Sequence, residues 1–107
     1  GTVDAGVYRE AQPAGDILHT LEHGAVLIYY DPDALSPEAE ESLKQWANTH
    51  TGTWNSVVAV PSTDESVDSP YVLTAWRHSL RLSEYEIEVV RAFLAEYLGR
   101  GPENLVR

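Results

Sequence analysis

Between Gly24 and Asp31 the chain carries six consecutive apolar or aromatic residues, Ala25-Val26-Leu27-Ile28-Tyr29-Tyr30, with no polar residue alternating among them. A strand with one wet face alternates. An unbroken run of this kind, closed by the turn residues Asp31-Pro32-Asp33, belongs to a strand covered on both faces in the middle of a sheet. Such a strand calls for other layers on both of its faces.

The flanking patterns supply those layers. Asp16 is placed to cap a helix over roughly 16–23, and Gly24 stands where a helix ends in a left-handed turn. Ser36-Pro37-Glu38 is a strong helix start, with a hydroxyl cap, Pro at the first position and acids in the first turn. Ala39, Leu43, Trp46 and Ala47 continue it at helical spacing to about residue 49. Trp54 leads into a short Val-rich strand at 56–60, closed by Pro61. Tyr71–Trp76 reads as a further strand. Leu80 and Leu82, alternating with Arg81, read as its hairpin partner across a turn near Arg77–Ser79. Ser83 and Glu86 have capping-box spacing, ahead of an apolar stripe of Ile87, Val90, Leu94 and Tyr97 that Gly99 ends.

The expected fold is α/β, with α+β left open: one domain over residues 1–107, with a small mixed sheet of three to four strands and three helices in the order α-β-α-β-β-α. Strands 25–30 and 56–60, joined by a helix, should be parallel, and strand 71–76 antiparallel to its neighbour. This element order is similar to a thioredoxin-like layout lacking its first strand, but the chain has no cysteine, so thioredoxin chemistry is excluded. Residues 1–15 form an N-terminal strap in which Val7-Tyr8 is either an edge strand or a tucked arm. Residues 100–107 form a C-terminal tail. The acidic stretch Ser62–Ser69, with Asp64, Glu65 and Asp68, has no periodicity and is the expected mobile or partner-facing loop.

Chemistry concentrates just before the buried run, in His19-Thr20-Leu21-Glu22-His23-Gly24. His19 and His23 stand at i and i+4, on one face of a helix and close enough to hold one ion, with Glu22 beside them. The spacing H-x-x-E-H is that of inverted zincins, in which two His hold zinc and the Glu takes a proton from bound water. On a helical wheel Ile17, Leu18 and Leu21 share one side and the His pair lies nearly opposite. His23 also suits a last-turn position through the helix dipole alone. His78, at the hairpin turn, is a further possible ligand if the hairpin folds toward this helix. His50 ends the second helix and reads as exposed. Asp31 and Asp33 offer carboxylates but sit in turn context. Glu103 either helps to close a site or belongs to a turn that pins the C-terminus.

Composition narrows the partners. Seven Lys and Arg against 17 Asp and Glu give a net charge of −10, which disfavours nucleic acid and anionic lipid and suits cations, basic partners or simply a well-solvated surface. No apolar run approaches the ~18 residues of a membrane span. There is no Gly-rich phosphate loop and no nucleophile elbow.

Several blocks carry a resemblance. His19-Thr20-Leu21-Glu22-His23-Gly24-Ala25-Val26 with Tyr29-Tyr30 is similar to the signature segment of the DUF3105 family, a family of unknown function. So are Gly6-Val7-Tyr8, Val58-Ala59-Val60-Pro61, Leu73-Thr74-Ala75-Trp76 with Leu80 and Leu82, and Gly101-Pro102-Glu103-Asn104. His78 departs from the family, whose members more often show a Gly/Arg-type turn after the Trp. The resemblance implies a bacterial extracytoplasmic domain, membrane-anchored in the full-length protein through a segment outside this sequence. It also implies a Ser-Gly-Pro-His type block upstream of the Gly-Val-Tyr entry, ahead of where this chain starts.

Three functional readings follow. The first is a non-enzymatic metal-binding domain with ligands His19 and His23, and Glu22 as third ligand or orienter. Imidazole donors suit Zn or Cu, and with neither Met nor Cys in the chain a soft Cu(I) site is not available. The second is a structural or protein-interaction module in which His19, Glu22 and His23 only fix the helix–strand junction. The third is a small zinc hydrolase with Glu22 as base.

Overall fold

The computed structural model describes residues 1–62 and 69–103. Asp64, Glu65 and Asp68 of the acidic stretch, and Asn104 of the closing block, lie outside the described residues. The elements are β1 (Gly6–Val7), α1 (Ala14–His23), β2 (Val26–Tyr30), α2 (Pro37–Thr49), β3 (Val57–Pro61), β4 (Tyr71–Ala75), β5 (His78–Leu82) and α3 (Ile87–Tyr97). The five strands form one mixed sheet in the order β1-β3-β2-β4-β5. β1 and β2 both run parallel to β3, β4 is antiparallel to β2, and β5 is antiparallel to β4.

The unalternating run occupies the centre of that sheet, and its period of two divides the core into two layers. Val26, Ile28 and Tyr30 point to one face, where they meet Leu43 of α2, Val90, Phe93 and Leu94 of α3, and Leu73 of β4. Ala25 and Leu27 point to the other, with Val58 and Val60 of β3, Val3 of the N-terminal strap, and Ile17 and Leu21 of α1. The strand is buried on both sides because helices cover both sides.

Several expectations need correction. The sheet has five strands, not three to four. The edge-strand alternative for the N-terminal strap holds at Gly6–Val7, registered as Gly6 with Val58 and Val7 with Ala59, so the order α-β-α-β-β-α omits this strand and counts the β4–β5 hairpin as one. The α1 helix begins at Ala14 with Pro13 before it, and no side chain caps it. Asp16 lies inside the first turn, 3.6 Å from the N-terminal ammonium. Leu18 does not share the buried side of Ile17 and Leu21; it is exposed.

The α3 helix begins at Ile87 rather than after Ser83. Tyr85 is the reason. Its hydroxyl accepts from Trp46 Nε1 at 3.0 Å and pairs with Ser42 Oγ at 2.7 Å, and its ring meets Tyr71 edge-on. That docking keeps the backbone out of the helix until Ile87. The β4–β5 turn is Trp76-Arg77, since Ala75 pairs with His78, and Arg77 takes the positive φ (68°) of a tight hairpin.

Candidate metal centre

The amphipathic α1 presents Ile17 and Leu21 to the sheet and carries its imidazoles away from it. Buried Thr20 anchors it: its Oγ1 donates to the Asp16 carbonyl at 2.7 Å and accepts from the Val3 N–H at 2.8 Å. That pair of bonds lays the N-terminal strap along the helix. The strap in turn reaches the first histidine. His19 Nδ1 lies 3.1 Å from the Gly1 carbonyl oxygen. A carbonyl only accepts, so in this contact Nδ1 carries the proton, and in the neutral imidazole that a metal requires Nε2 is then the nitrogen with the lone pair.

One turn later, His23 Nε2 lies 3.1 Å from His19 Nε2, with the rings near perpendicular. Gly24 then stops the helix at φ 113°, where a side chain would also strike the Trp54 carbonyl oxygen at 2.5 Å. The Trp54 indole covers His23, with ring centroids 4.4 Å apart.

The third group comes from the other end of the chain. After α3, the Gly99 N–H donates to the Gly24 carbonyl at 2.8 Å and the Glu103 N–H donates to the Glu22 carbonyl at 3.1 Å. Between them Gly101 packs so closely that an added Cβ would stand 2.3 Å from the Glu22 oxygen. This strap delivers Glu103 Oε2 to 3.2 Å from His23 Nε2 and 3.9 Å from His19 Nε2. His19, His23 and Glu103 are the group that could hold a metal among the described residues, each offering one ligand atom within 4.8 Å of the others.

Those separations have a chemical meaning. Four ligands at the ~2.0–2.1 Å bond length of zinc to nitrogen or oxygen, arranged tetrahedrally, stand about 3.3 Å apart. The observed edges of 3.1, 3.2 and 3.9 Å bracket that value. The His23 side chain is 15% exposed, while those of His19 and Glu103 are 44% and 42% exposed. The face of the triangle is therefore open to solvent, leaving a fourth position accessible.

The remaining candidates lie elsewhere. Glu22 meets the site through its backbone carbonyl, and its carboxylate is not part of the group. His78 stacks on Tyr97 of α3 at 4.1 Å. Its register opposite Ala75, whose neighbours Leu73 and Tyr71 point to the α2/α3 face, puts it on the far side of the sheet from α1. His50 stacks loosely on Trp46 at the end of α2. Asp31 accepts from the Asp33 N–H at 2.9 Å, which is turn chemistry. The sequence pattern gives no sign of Trp54 at the site and leaves Glu103 open between closing a site and pinning a turn. The closing Gly-x-Gly-Pro-Glu segment is the available signal, since glycines just ahead of an acid permit a close backbone approach.

The fold and the cluster together define a small mixed α/β domain whose two chain ends converge on an open His-His-Glu group. The chain belongs to the DUF3105 family, described as a protein of unknown function, whose family model matches residues 2–106. No match was found among curated proteins, and none among solved structures.

Proposed function

We propose that this is a non-enzymatic metal-binding domain that takes one divalent ion, Zn(II) or Cu(II), through His19 Nε2, His23 Nε2 and a Glu103 carboxylate oxygen. The observation that carries this reading is the near-tetrahedral spacing of three ligand atoms from opposite ends of the chain. The Gly1 carbonyl supports it by holding His19 in the tautomer that ligation requires. Glu22 orients the third ligand through its backbone. A hydrolytic role would need a base within reach of metal-bound water, and the Glu22 carboxylate is not in the group, so binding is the better reading. On the family resemblance we place the domain outside the bacterial cytoplasm, anchored to the membrane by a segment outside this chain. No helix among the described residues is long and apolar enough to cross a membrane.

One observation favours a second reading. The 3.2 Å separation of His23 Nε2 and Glu103 Oε2 is a hydrogen-bond distance, so without metal the same residues fasten the C-terminal strap to α1.

Elemental analysis of protein purified without a His tag or chelator, with melting curves in added Zn(II) and Cu(II), separates the two. The metal reading expects about one equivalent per chain. It also expects a gain of about 2.7 kcal/mol at a hundredfold excess over the dissociation constant. His19→Ala, His23→Ala and Glu103→Ala lose that gain yet fold without metal, and Glu22→Gln keeps it. Absence of metal and of any shift in the parent protein would leave the structural reading.

A further inference from the structure

Beside His23, bounded by the N-terminal strap, α1 and residues 51–56, lies a cavity of about 220 Å³, room for about seven waters at the ~30 Å³ each occupies in the liquid. Thr2, Thr51, Thr53 and Ser56 bring hydroxyls to its wall beside Asp4 and His23, the Thr20 hydroxyl there is already bonded to Val3 and Asp16, and no described Lys or Arg joins them. Two polar atoms there have no hydrogen-bond partner among the described residues. One is the Oγ of Ser56, a residue only 5% exposed. The other is His23 Nδ1, whose counterpart on His19 is taken by the Gly1 carbonyl. No described side-chain polar atom is both sealed and unpaired, so neither of these two is sealed from solvent, and both residues line the cavity.

The chemistry of these groups selects an occupant. With Nε2 committed to an ion, the His23 proton sits on Nδ1, and a ligating histidine ordinarily gives that proton to an acceptor. The occupant must therefore accept a hydrogen bond. It must also donate, because Asp4 offers an acceptor-only carboxylate. An anion meets that carboxylate in a chain of net charge −10 with no described cation in the wall, and an ammonium group cannot accept. A hydroxyl does both.

We propose that the cavity is a binding subsite for a small, neutral polyhydroxylated ligand, a single sugar ring or cyclic polyol, held by His23 Nδ1–H, Ser56 Oγ and the surrounding threonines beside the metal centre. The subsite rests on the metal-binding reading only for the position of the His23 proton; the hydroxyl wall and the cavity stand without it.

The test is a ¹H–¹⁵N titration of the labelled protein, with and without Zn(II), against D-glucose, D-mannose, myo-inositol and, as an anionic control, acetate. The expected result is a saturable shift, for at least one of the three polyols, of the Thr20, His23 and 51–56 amides. Ser56→Ala and Thr53→Val each weaken it by about three- to tenfold, the worth of one hydrogen bond, while Zn(II) uptake and the melting temperature hold. Zn(II) uptake with no saturable polyol shift overturns the subsite and leaves the metal reading standing. Polyol binding without Zn(II) uptake supports the subsite and counts against the metal. Saturable acetate binding in place of polyol, or polyol shifts that grow linearly and spread over the surface, overturns the subsite.

Discussion

Replacing Gly101 with Ala separates the position of the third candidate ligand from its identity. A Cβ there would lie 2.3 Å from the Glu22 carbonyl oxygen and 2.4 Å from the Gly24 amide nitrogen. Both are backbone atoms at the end of α1, and neither can rotate away. Ordinary contact begins near 3.4 Å, so the C-terminal strap must lift by about 1 Å to relieve the overpacking. That takes the Glu103 N–H out of hydrogen-bond range of the Glu22 carbonyl, now at 3.1 Å, and loosens the 2.8 Å bond from Gly99 to Gly24. Two backbone bonds at about 0.5–1.5 kcal/mol each set the loss at about 1–3 kcal/mol, or roughly 5–15 °C in melting temperature for a domain of this size. Glu103 moves with the strap, so Zn(II) affinity falls by at least the ~10–100-fold that disturbing a ligand's support costs. Thermal melting and calorimetric Zn(II) titration read the two effects separately. Gly15→Ala is the control: it lies within α1 and a Cβ there meets nothing within 4 Å, so it should stabilise by about 0.5–1 kcal/mol. A Gly101→Ala protein with unchanged melting and wild-type Zn(II) affinity would refute the strap as the device that places Glu103.

Two further outcomes concern the tyrosines. Tyr85→Phe removes the acceptor of the Trp46 indole and the partner of the Ser42 hydroxyl; it should cost about 1–3 kcal/mol in urea unfolding, and a loss near zero would show that water replaces the phenol. Burial, the largest cause in each case, pushes the phenols of Tyr8, Tyr29, Tyr30 and Tyr85 above their ordinary value of 10.0. The folded chain thus holds these protons more tightly than the unfolded one. The stability they contribute is complete below pH 10.0 and is lost as pH rises through the higher folded values. Unfolding followed from about pH 9 to pH 12 should show that decline, and a flat profile would contradict it.

What could be read from the sequence was what local chemistry decides. Ser36 caps α2 as its spacing predicts, with the Ala39 N–H donating to its Oγ at 3.1 Å, and Gly24 stops α1 in the left-handed region. The unalternating 25–30 run did define a central, doubly covered strand, with the parallel and antiparallel neighbours expected of it. The failures share a cause, a long-range contact overriding a local signal. Ser83 and Glu86 have capping-box spacing, but Tyr85 is claimed by Ser42 and Trp46, more than thirty residues earlier. Two residues are too few to decide by pattern between the edge strand and the tucked arm open for Val7-Tyr8, and the strand forms at Gly6–Val7 because β3 offers it an edge. At the site, the i, i+4 histidine pair was legible because one helix holds both. Glu22, the neighbour in sequence, looked like the natural third ligand. Glu103 joins the pair only through the packing of Gly99 and Gly101 against the end of α1, which no periodicity encodes.

That division has a thermodynamic consequence for the proposed ion. Glu103 follows His23 by 80 residues, and bringing such distant groups together carries a loop-closure cost that grows with the logarithm of the separation. Here the fold meets the cost before any ion arrives. The sheet sets α1 in place, the Val3–Thr20 bond lays one chain end along it, and the Gly99 and Glu103 amides fasten the other. The ligand atoms already stand near tetrahedral spacing, so an ion needs little rearrangement of the protein. Its binding free energy then appears almost wholly as resistance to unfolding rather than as a change of shape. A preformed site of this kind binds the folded chain and not the unfolded one, so whatever disturbs either strap weakens the ion, and the ion in turn holds both straps to α1.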